Sequence, residues 1–345
     1  MIKPQNLLIV RTDRIGDVVL SLPLADLVKK HYPECRITFL LKDYTKSIAE
    51  GHPFIDDILT LKEKNNKISL INNIRQIKKN SYDVAIVVYP TFITSLIIFL
   101  SGIKKRIGTG YRWYSLLFNY KLYEHRKDAL KHELEYNVDL LKYFGINENI
   151  IPSNVKFNLK IAQLDDQRVR TILKAKGIDL KKLVIIIHPG SGGSAVDLPQ
   201  NKLKELIDTI SKNLSAEILI SGTKSEMELC HNLSISGKTK NLAGLFDLAE
   251  LKALINYSDI FIANSTGPLH IAAALGKYVI GFYPKIPQCS PKRWGPYSVK
   301  SKVFTPNLGC SNCKREQCER LDCMSTIKVP EIFAEIEKIY KFVNK

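Results

Sequence analysis

Short apolar runs rich in branched residues alternate along the whole chain with longer stretches whose apolar positions recur every three to four residues. In the first half the runs Asn6–Arg11, Arg36–Leu41, Asp57–Leu61, Asp83–Tyr89 and Arg106–Gly108 read as strands, and Leu22–His31 and Leu70–Lys79 as helices. A second series follows. Its strands are Leu183–Ile187, Glu217–Ser221, Lys240–Leu242, Ile260–Ala263 and Val279–Tyr283; its helices are Gln200–Asn213, Ser225–Leu233, Leu248–Tyr257 and Pro268–Leu275. Alternation of this kind predicts βαβ units around a parallel sheet. The run from Val84 to Tyr89 is apolar throughout, as a strand covered on both faces should be. Between the two series, residues 147–182 are mixed and lysine-rich, with Pro152 near the start, and read as a domain boundary plus one short helix. The stretch Pro330–Val343 reads as an amphipathic helix with proline in its first turn. The expected class is α/β: two Rossmann-like doubly wound domains, residues 1–160 and 161–345, facing a cleft, with a C-terminal helix that could pack back on the first domain. In such sheets ligands bind at the carboxyl ends of the strands.

A length of 345 residues suits two domains of about 150–180 residues each. Apolar and charged fractions of 45% and 25% are those of an ordinary globular chain. The formal net charge is +17, with 25 Lys and Arg against 16 Asp and Glu in residues 1–160 and 26 against 18 beyond, so the excess is no tail. Such a field favours anionic partners, whether nucleic acid, anionic lipid or phosphorylated sugar, although a lysine-rich composition alone gives the same sign. Any nucleic-acid reader motif or Arg/aromatic run is missing, so nucleic acid is not expected. The opening residues lack an apolar signal-peptide core, so no secretory signal is expected. The longest apolar run, Phe92–Ile103, spans about 12 residues where a bilayer needs about 20. It reads as a buried helix, with a membrane-facing or lipid-accommodating surface as the alternative.

Three strand-end loops carry candidate chemistry. The first, Arg11-Thr12-Asp13-Arg14-Ile15-Gly16-Asp17, follows the first strand. It lacks the glycine spacing of a dinucleotide fingerprint. Asp17 at the mouth of a helix can serve as a general base toward a hydroxyl, or simply as the helix N-cap, which on local pattern is the commoner use. In the second, His188-Pro189-Gly190-Ser191-Gly192-Gly193-Ser194, the glycines and serines would let backbone amides approach phosphate oxygens, unless this is an ordinary tight turn. In the third, Asn264-Ser265-Thr266-Gly267-Pro268-Leu269-His270, an apolar strand gives way to a helix opened by proline. Its amide-rich, dipole-positive end suits a diphosphate, with Ser265, Thr266, Gly267 and Pro268 around it and His270 within reach of a phosphate or sugar oxygen.

Seven cysteines in a chain without an expected export signal suggest a reducing compartment, so disulfides are not the default. Four of them, Cys310, Cys313, Cys318 and Cys323, fall within fourteen residues. They could form a tetrahedral zinc site, but the spacing meets only half of the usual paired pattern. A reduced thiol cluster shaping a C-terminal loop is the alternative, and no metal is assigned.

Together, the opening LLIVRTDRIGDVVLSLPL, the middle HELEYNVDLLKYFG, the loops IIIHPGSGGSA and ANSTGPLHIAAALG, and the cysteine-bearing C-terminal loop resemble glycosyltransferase family 9, the lipopolysaccharide heptosyltransferases. The resemblance covers nearly the whole chain. It implies a fold of the GT-B type, with an acceptor-binding first domain and a nucleotide-sugar-binding second domain. It also implies inverting, metal-independent transfer from ADP-heptose to a lipopolysaccharide core or related anionic glycolipid, by a cytoplasmic protein with peripheral contact to the inner membrane and no other cofactor. The family's catalytic carboxylate falls on Asp17. Its donor site falls on Ser191, Gly192, Gly193, Ser265, Thr266, Gly267, Pro268 and His270, its ribose-binding Glu on Glu226, and its base-binding loop near Asn241–Gly244. Lys104, Lys105, Arg106 and Arg112, with Arg126 and Lys127, would meet the anionic acceptor. Two departures bear on the donor. Val196 stands where many members carry a phosphate-neutralising Lys, beside the acidic Asp197, and Ser265 stands where heptosyltransferases often carry Asp. Lys224, Lys285, Lys292 and Arg293 are candidate replacements for the missing cation. A different donor sugar, or a weakly active or non-catalytic sugar-nucleotide-binding relative, is the competing expectation.

Overall fold

The computed structural model describes residues 1–65, 67–310 and 313–343. They divide into two compact units, Met1–Lys160 and a second beginning at Ile161. The first unit runs β1 (Asn6–Val10), α1 (Ile15–Val19), α2 (Pro23–His31), β2 (Arg36–Leu41), β3 (Asp57–Thr60), a small hairpin β4 (Glu63–Lys64) and β5 (Lys67–Ile68), α3 (Leu70–Lys78), β6 (Val84–Val87), α4 (Phe92–Leu100), β7 (Lys105–Thr109), β8 (Tyr120–Leu122) and α5 (Glu133–Asp139). The second runs α6 (Gln163–Ala175), β9 (Leu183–His188), α7 (Gln200–Asn213), β10 (Ala216–Ile220), α8 (Met227–Leu233), β11 (Thr239–Asn241), α9 (Leu248–Asn256), β12 (Ile260–Asn264), α10 (Gly267–Ala274), β13 (Tyr278–Phe282), α11 (Pro291–Trp294), β14 (Ser301–Phe304), α12 (Arg315–Arg320) and α13 (Val329–Val343).

Each unit is built on a six-stranded parallel sheet, ordered β3-β2-β1-β6-β7-β8 in the first and β11-β10-β9-β12-β13-β14 in the second. The expected α/β class with two doubly wound sheets is what the chain adopts. Leu8 pairs with Thr38 on one side and Ala85 on the other; Ile187 pairs with Ile220 and Ile262. These central strands are buried along almost their whole length because helices cover both faces. Strand order reverses between β1 and β6, and again between β9 and β12, which is where such sheets hold ligands.

Several elements differ from the sequence pattern. The edge strands β8 (YKL) and β14 (SKVF) are short, mixed and only half-buried, so they give no apolar run to read. Helix α6 is a full 13 residues rather than one short helix; it is polar on most faces and buries only Val169 and Leu173 completely. Helix α13 packs on α7 of its own unit, setting Val329, Ile332, Ile336 and Ile339 against Leu203, Leu206, Ile207 and Ile210. Helix α4 is not a buried helix. Thr94, Ser95, Ile97 and Ile98 face inward, and Phe92, Ile93, Phe99 and Leu100 are exposed.

Candidate active site

In the first unit, β1 delivers Arg11 to its carboxyl end, where the Arg11 amide still donates to the Leu40 carbonyl at 3.0 Å. The guanidinium is wholly buried and gathers acids around it. Its Nε lies 2.9 Å from Asp13 Oδ1, its Nη2 bonds Asp17 Oδ1, and its Nη1 sits 3.5 Å from Glu133 Oε1 and donates to Asn137 Oδ1 at 3.4 Å. Glu133 and Asn137 are one turn apart on α5 and so share a face. A second cation joins from the surface: Arg126 donates to Glu133 Oε1 at 2.5 Å and to Asn137 Oδ1 at 3.0 Å. Asn137 Nδ2 in turn donates to the Leu20 carbonyl at 3.1 Å, fastening α5 to the end of α1.

Asp17 is not a helix cap. Arg14 holds the N-cap position, and Asp17 is the third residue of α1, with its carboxylate on Arg11. Asp13 has a different state. Burial raises its carboxyl to about 8 against the pull of Arg11, with the neighbouring Asp17 carboxylate, within hydrogen-bonding reach, contributing to that rise. At neutral pH Asp13 therefore keeps its proton and donates to Asp17. Arg11 and Arg126 are each paired with an acid of this cluster, Arg11 with Asp17 and Arg126 with Glu133. A carboxyl raised in this way binds more protons folded than unfolded, so its contribution to stability is complete below about pH 4 and is lost as pH rises through 8. Thermal melts across pH 6 to 9 should show the wild-type melting temperature falling more steeply than that of Asp13→Asn, whose amide is neutral throughout. Parallel profiles would mean that Asp13 is already ionised at pH 6.

In the second unit, four loops meet along the carboxyl edge of the sheet. The first, residues 189–198, follows β9. Gly192 and Gly193 have φ of +55° and +76° with open space around them, so the backbone turn rather than crowding demands glycine. Asn264, the last residue of β12, closes this loop: its Oδ1 accepts from the Leu198 amide at 2.8 Å and its Nδ2 donates to the Pro189 carbonyl at 2.5 Å. Arg315 of α12 donates to the Gly193 and Ala195 carbonyls at 3.0 and 3.3 Å.

The second loop, after β10, carries Glu226, whose Oε2 accepts from the Thr223 amide and hydroxyl at 2.8 and 2.7 Å. Glycines make room for it: a Cβ on Gly190 would land on the Glu226 carboxylate, and one on Gly222 would crowd Cys230 and Glu226. In the third loop, Asn241 Oδ1 accepts from the Ala243 amide at 3.0 Å and Gly244 turns at φ +76° beside Met227 and Lys224. In the fourth, Thr266 is the extended N-cap of α10, Gly267 and Pro268 open the helix, and His270 is buried in its first turn. The Ser265 hydroxyl donates to Tyr283, whose own hydroxyl donates to the Trp294 carbonyl at 2.7 Å. The buried His188 imidazole, 3.0 Å from the Ser221 hydroxyl, is held below the usual histidine range by burial, against the opposing charge of Glu226.

Ser191, Gly192, Gly193, Glu226, Ser265, Thr266, Gly267, Pro268 and His270 thus lie on one sheet edge. Asp197 does not point away from it. Burial raises its carboxyl above the ordinary range, while the Ser191 hydroxyl and amide hydrogen-bond it and oppose that rise. Of the proposed replacement cations, Lys285 is held by the Leu308 carbonyl at 2.5 Å and Arg293 stacks on Trp294. The cation the sequence did not reveal is Arg315. Among the residues expected to meet an acceptor, Lys104 and Arg112 are exposed and Lys105 half-buried. Arg106 is committed internally, to the carbonyls of Ile103 at 2.5 Å and Leu117 at 2.7 Å, and Arg126 to Glu133. Cys310, Cys313, Cys318 and Cys323 pack together with Ile286 and Cys289 as free thiols, with hydrogen bonds between Cys310 and Cys313 and between Cys318 and Cys323. Among the described residues no three His, Cys, Asp or Glu side chains are grouped to hold a metal ion.

The model of glycosyltransferase family 9 (heptosyltransferase) matches residues 71–323. The chain belongs to glycosyltransferase family 9. A Haemophilus influenzae protein described only as a glycosyltransferase is 31% identical over 317 residues, covering 88% of this chain and 90% of its own. Lipopolysaccharide heptosyltransferase 1 of Campylobacter coli is 24% identical, over 96% of this chain and 98% of its own. Among solved structures, a family 9 transferase from Veillonella parvula superposes with a TM-score of 0.84 at 18% identity, covering 97% of each chain. The ADP-heptose lps heptosyltransferase II of Escherichia coli superposes with a TM-score of 0.78 at 17% identity, covering 99% of this chain and 100% of its own. These neighbours share the GT-B type of fold. The family 9 chain is therefore a heptosyltransferase-like glycosyltransferase that draws on a sugar-nucleotide donor. Among its described residues no helix is long and apolar enough to cross a membrane.

Proposed function

We propose that this family 9 glycosyltransferase moves heptose from ADP-heptose onto a lipopolysaccharide core or related anionic glycolipid, with inversion and without a metal. It would act in the cytoplasm at the face of the inner membrane. The observation that carries the reading is Asp17: a carboxylate at the carboxyl end of β1, gripped by the buried Arg11 and accepting a proton-bearing neighbour in Asp13. In the proposed step Asp17 takes the proton of the acceptor hydroxyl, the oxygen forms its bond to the anomeric carbon, and the bond from that carbon to the diphosphate breaks. The charge left on the diphosphate meets the N-terminal end of α10, the amides around Gly192 and Gly193, and the Arg315 guanidinium behind that loop. Glu226, with its carboxylate in the space left by Gly190, would take the ribose hydroxyls.

The names of the Campylobacter and Escherichia relatives support heptose and ADP. A different donor sugar is the second reading. It is favoured by Ser265, whose hydroxyl is turned into Tyr283, and by Val196 in place of a lysine. Thermal shifts with ADP, GDP and UDP separate the two: ADP should raise the melting temperature most. A chain stabilised by GDP or UDP and indifferent to ADP would overturn the ADP-heptose assignment while leaving the family intact.

A further inference from the structure

Beyond β1 the first sheet continues through β6, β7 and β8, and each of these strands ends in an exposed tyrosine. Tyr89 follows β6, Tyr111 follows β7 and Tyr123 follows β8, with exposures of 45%, 44% and 63%. All three stand at the carboxyl ends of parallel strands, the edge on which such sheets hold ligands. A single exposed ring is ordinary on a protein surface. Three on successive strands of the ligand-bearing edge, with their loops tied together, are not accounted for by the fold, because none of them fills a core.

The rings are held in place. Tyr111 lies on His125 with centroids 3.6 Å apart and planes 26° apart, and meets Tyr123 edge to face at 5.6 Å. Its hydroxyl donates to the Tyr123 carbonyl at 3.2 Å. Glycine is required at position 110, because a Cβ there would land in the Tyr123 ring. The Gly110 amide donates to the Leu122 carbonyl at 2.7 Å, extending the pairing of β7 with β8 by one residue. Tyr114 donates to the Pro90 carbonyl at 2.8 Å and so ties the loop after β6, with Tyr89, to the loop after β7. The group also connects to Asp17. His125 is followed by Arg126, which bonds Glu133; Glu133 contacts Arg11, and Arg11 bonds Asp17.

We propose that Tyr89, Tyr111 and Tyr123, with His125, form a stacking track for the sugar rings of the acceptor, and that the acceptor is an oligosaccharide rather than a single sugar. The inference rests on the reading that Asp17 receives the proton of an acceptor hydroxyl. With that hydroxyl at the end of β1, a track over β6, β7 and β8 leads away across three strand spacings, about 14 Å in all and room for two or three linked rings. A pyranose suits such a surface. The face that carries its ring hydrogens is apolar and packs on an aromatic ring, while its hydroxyls point sideways to water and polar neighbours. Exposed Arg112, next to Tyr111, and Lys127, two residues past His125, would meet anionic substituents. Because the rings are fixed beforehand, binding need order little of the protein. Arg106 and Arg126 are occupied by internal partners, which leaves recognition at this edge mainly to its aromatic groups.

The test measures binding to the full chain with two probes: a deacylated lipopolysaccharide core oligosaccharide and the methyl glycoside of its non-reducing terminal sugar. Saturating the aromatic protons of the protein should carry magnetisation to ring hydrogens of the interior sugars of the oligosaccharide. The methyl glycoside should bind about tenfold more weakly, having no rings on the track. Tyr111→Leu with Tyr123→Leu should weaken oligosaccharide binding about tenfold, with melting temperature and ADP affinity as in the wild type. Tyr111→Phe with Tyr123→Phe should bind like the wild type, because the rings do the stacking. Three results would overturn the track: equal oligosaccharide binding by the leucine and wild-type chains, no saturation reaching the sugar from aromatic protons, or a leucine chain that loses ADP instead. Those results leave sugar transfer and its Asp17 base standing. The converse is separable: leucine chains that lose the oligosaccharide, beside an Asp17→Asn chain that transfers at the wild-type rate, keep the track and remove the base.

Discussion

Asp17→Asn should fold, bind ADP as the wild type does and transfer sugar roughly two to four orders of magnitude more slowly, the usual range for loss of a general base. The site explains why folding and catalysis should separate. Asp17 caps no helix, so no cap is lost. Its Oδ1 accepts from Arg11, and an asparagine oxygen accepts equally well. Arg11 also keeps its contact with Asp13 at 2.9 Å, so the guanidinium is not left without an acid beside it. What asparagine cannot do is take the hydroxyl proton. The measurement is the rate of nucleotide release at saturating donor and acceptor, alongside a melting curve and an ADP titration. A folded Asp17→Asn protein working at the wild-type rate would remove Asp17 from the mechanism.

Arg11→Met should have the largest effect on stability. The side chains are of similar length, but the substitution leaves Asp17 and Glu133 facing a buried space that held a cation, with Arg126 still beside Glu133. Breaking a buried ion network by removing one partner costs about 3–5 kcal/mol, and in a unit of this size that is roughly a 10 °C fall in melting temperature. Because each unit has its own sheet and core, the loss should fall on the first alone, with ADP still stabilising the second. Calorimetry would show the two transitions drawing apart. Adding Glu133→Gln should recover part of the loss by removing one stranded charge. A single mutant that melts within a degree or two of wild type would show that the network contributes little to folding.

The parts of this molecule legible in its sequence are those that short stretches encode by themselves. Short, branched runs such as LLIV and LVIII, repeated between helical stretches, read as strands covered on both faces, so both sheets could be anticipated, and the loops carrying Asp17, Gly192 and Thr266 follow directly from strand ends. What could not be read depends on residues far apart. The HELEYN stretch drew notice as a family feature, yet Glu133 and Asn137 gain their role from Arg11, more than a hundred positions earlier. Arg315 belongs to a cysteine-bearing segment with no visible tie to the glycine loop until the fold brings α12 beneath it. Helix α4 was misread for another reason. A run apolar nearly all round gives no direction, and its inner face mixes Thr94 and Ser95 with Ile97 and Ile98.

The loop between Pro189 and Leu198 is fixed at both ends by one amide side chain, that of Asn264, and in its middle by Arg315. A glycine-rich segment would ordinarily sample many shapes, and an anion arriving there would have to freeze them out. Here that ordering is completed when the chain folds. An anion settling on the loop would meet amides already in place, so its binding would be expected to release heat with little entropic penalty, and the loop's sequence would matter less for affinity than the two distant side chains that hold it open.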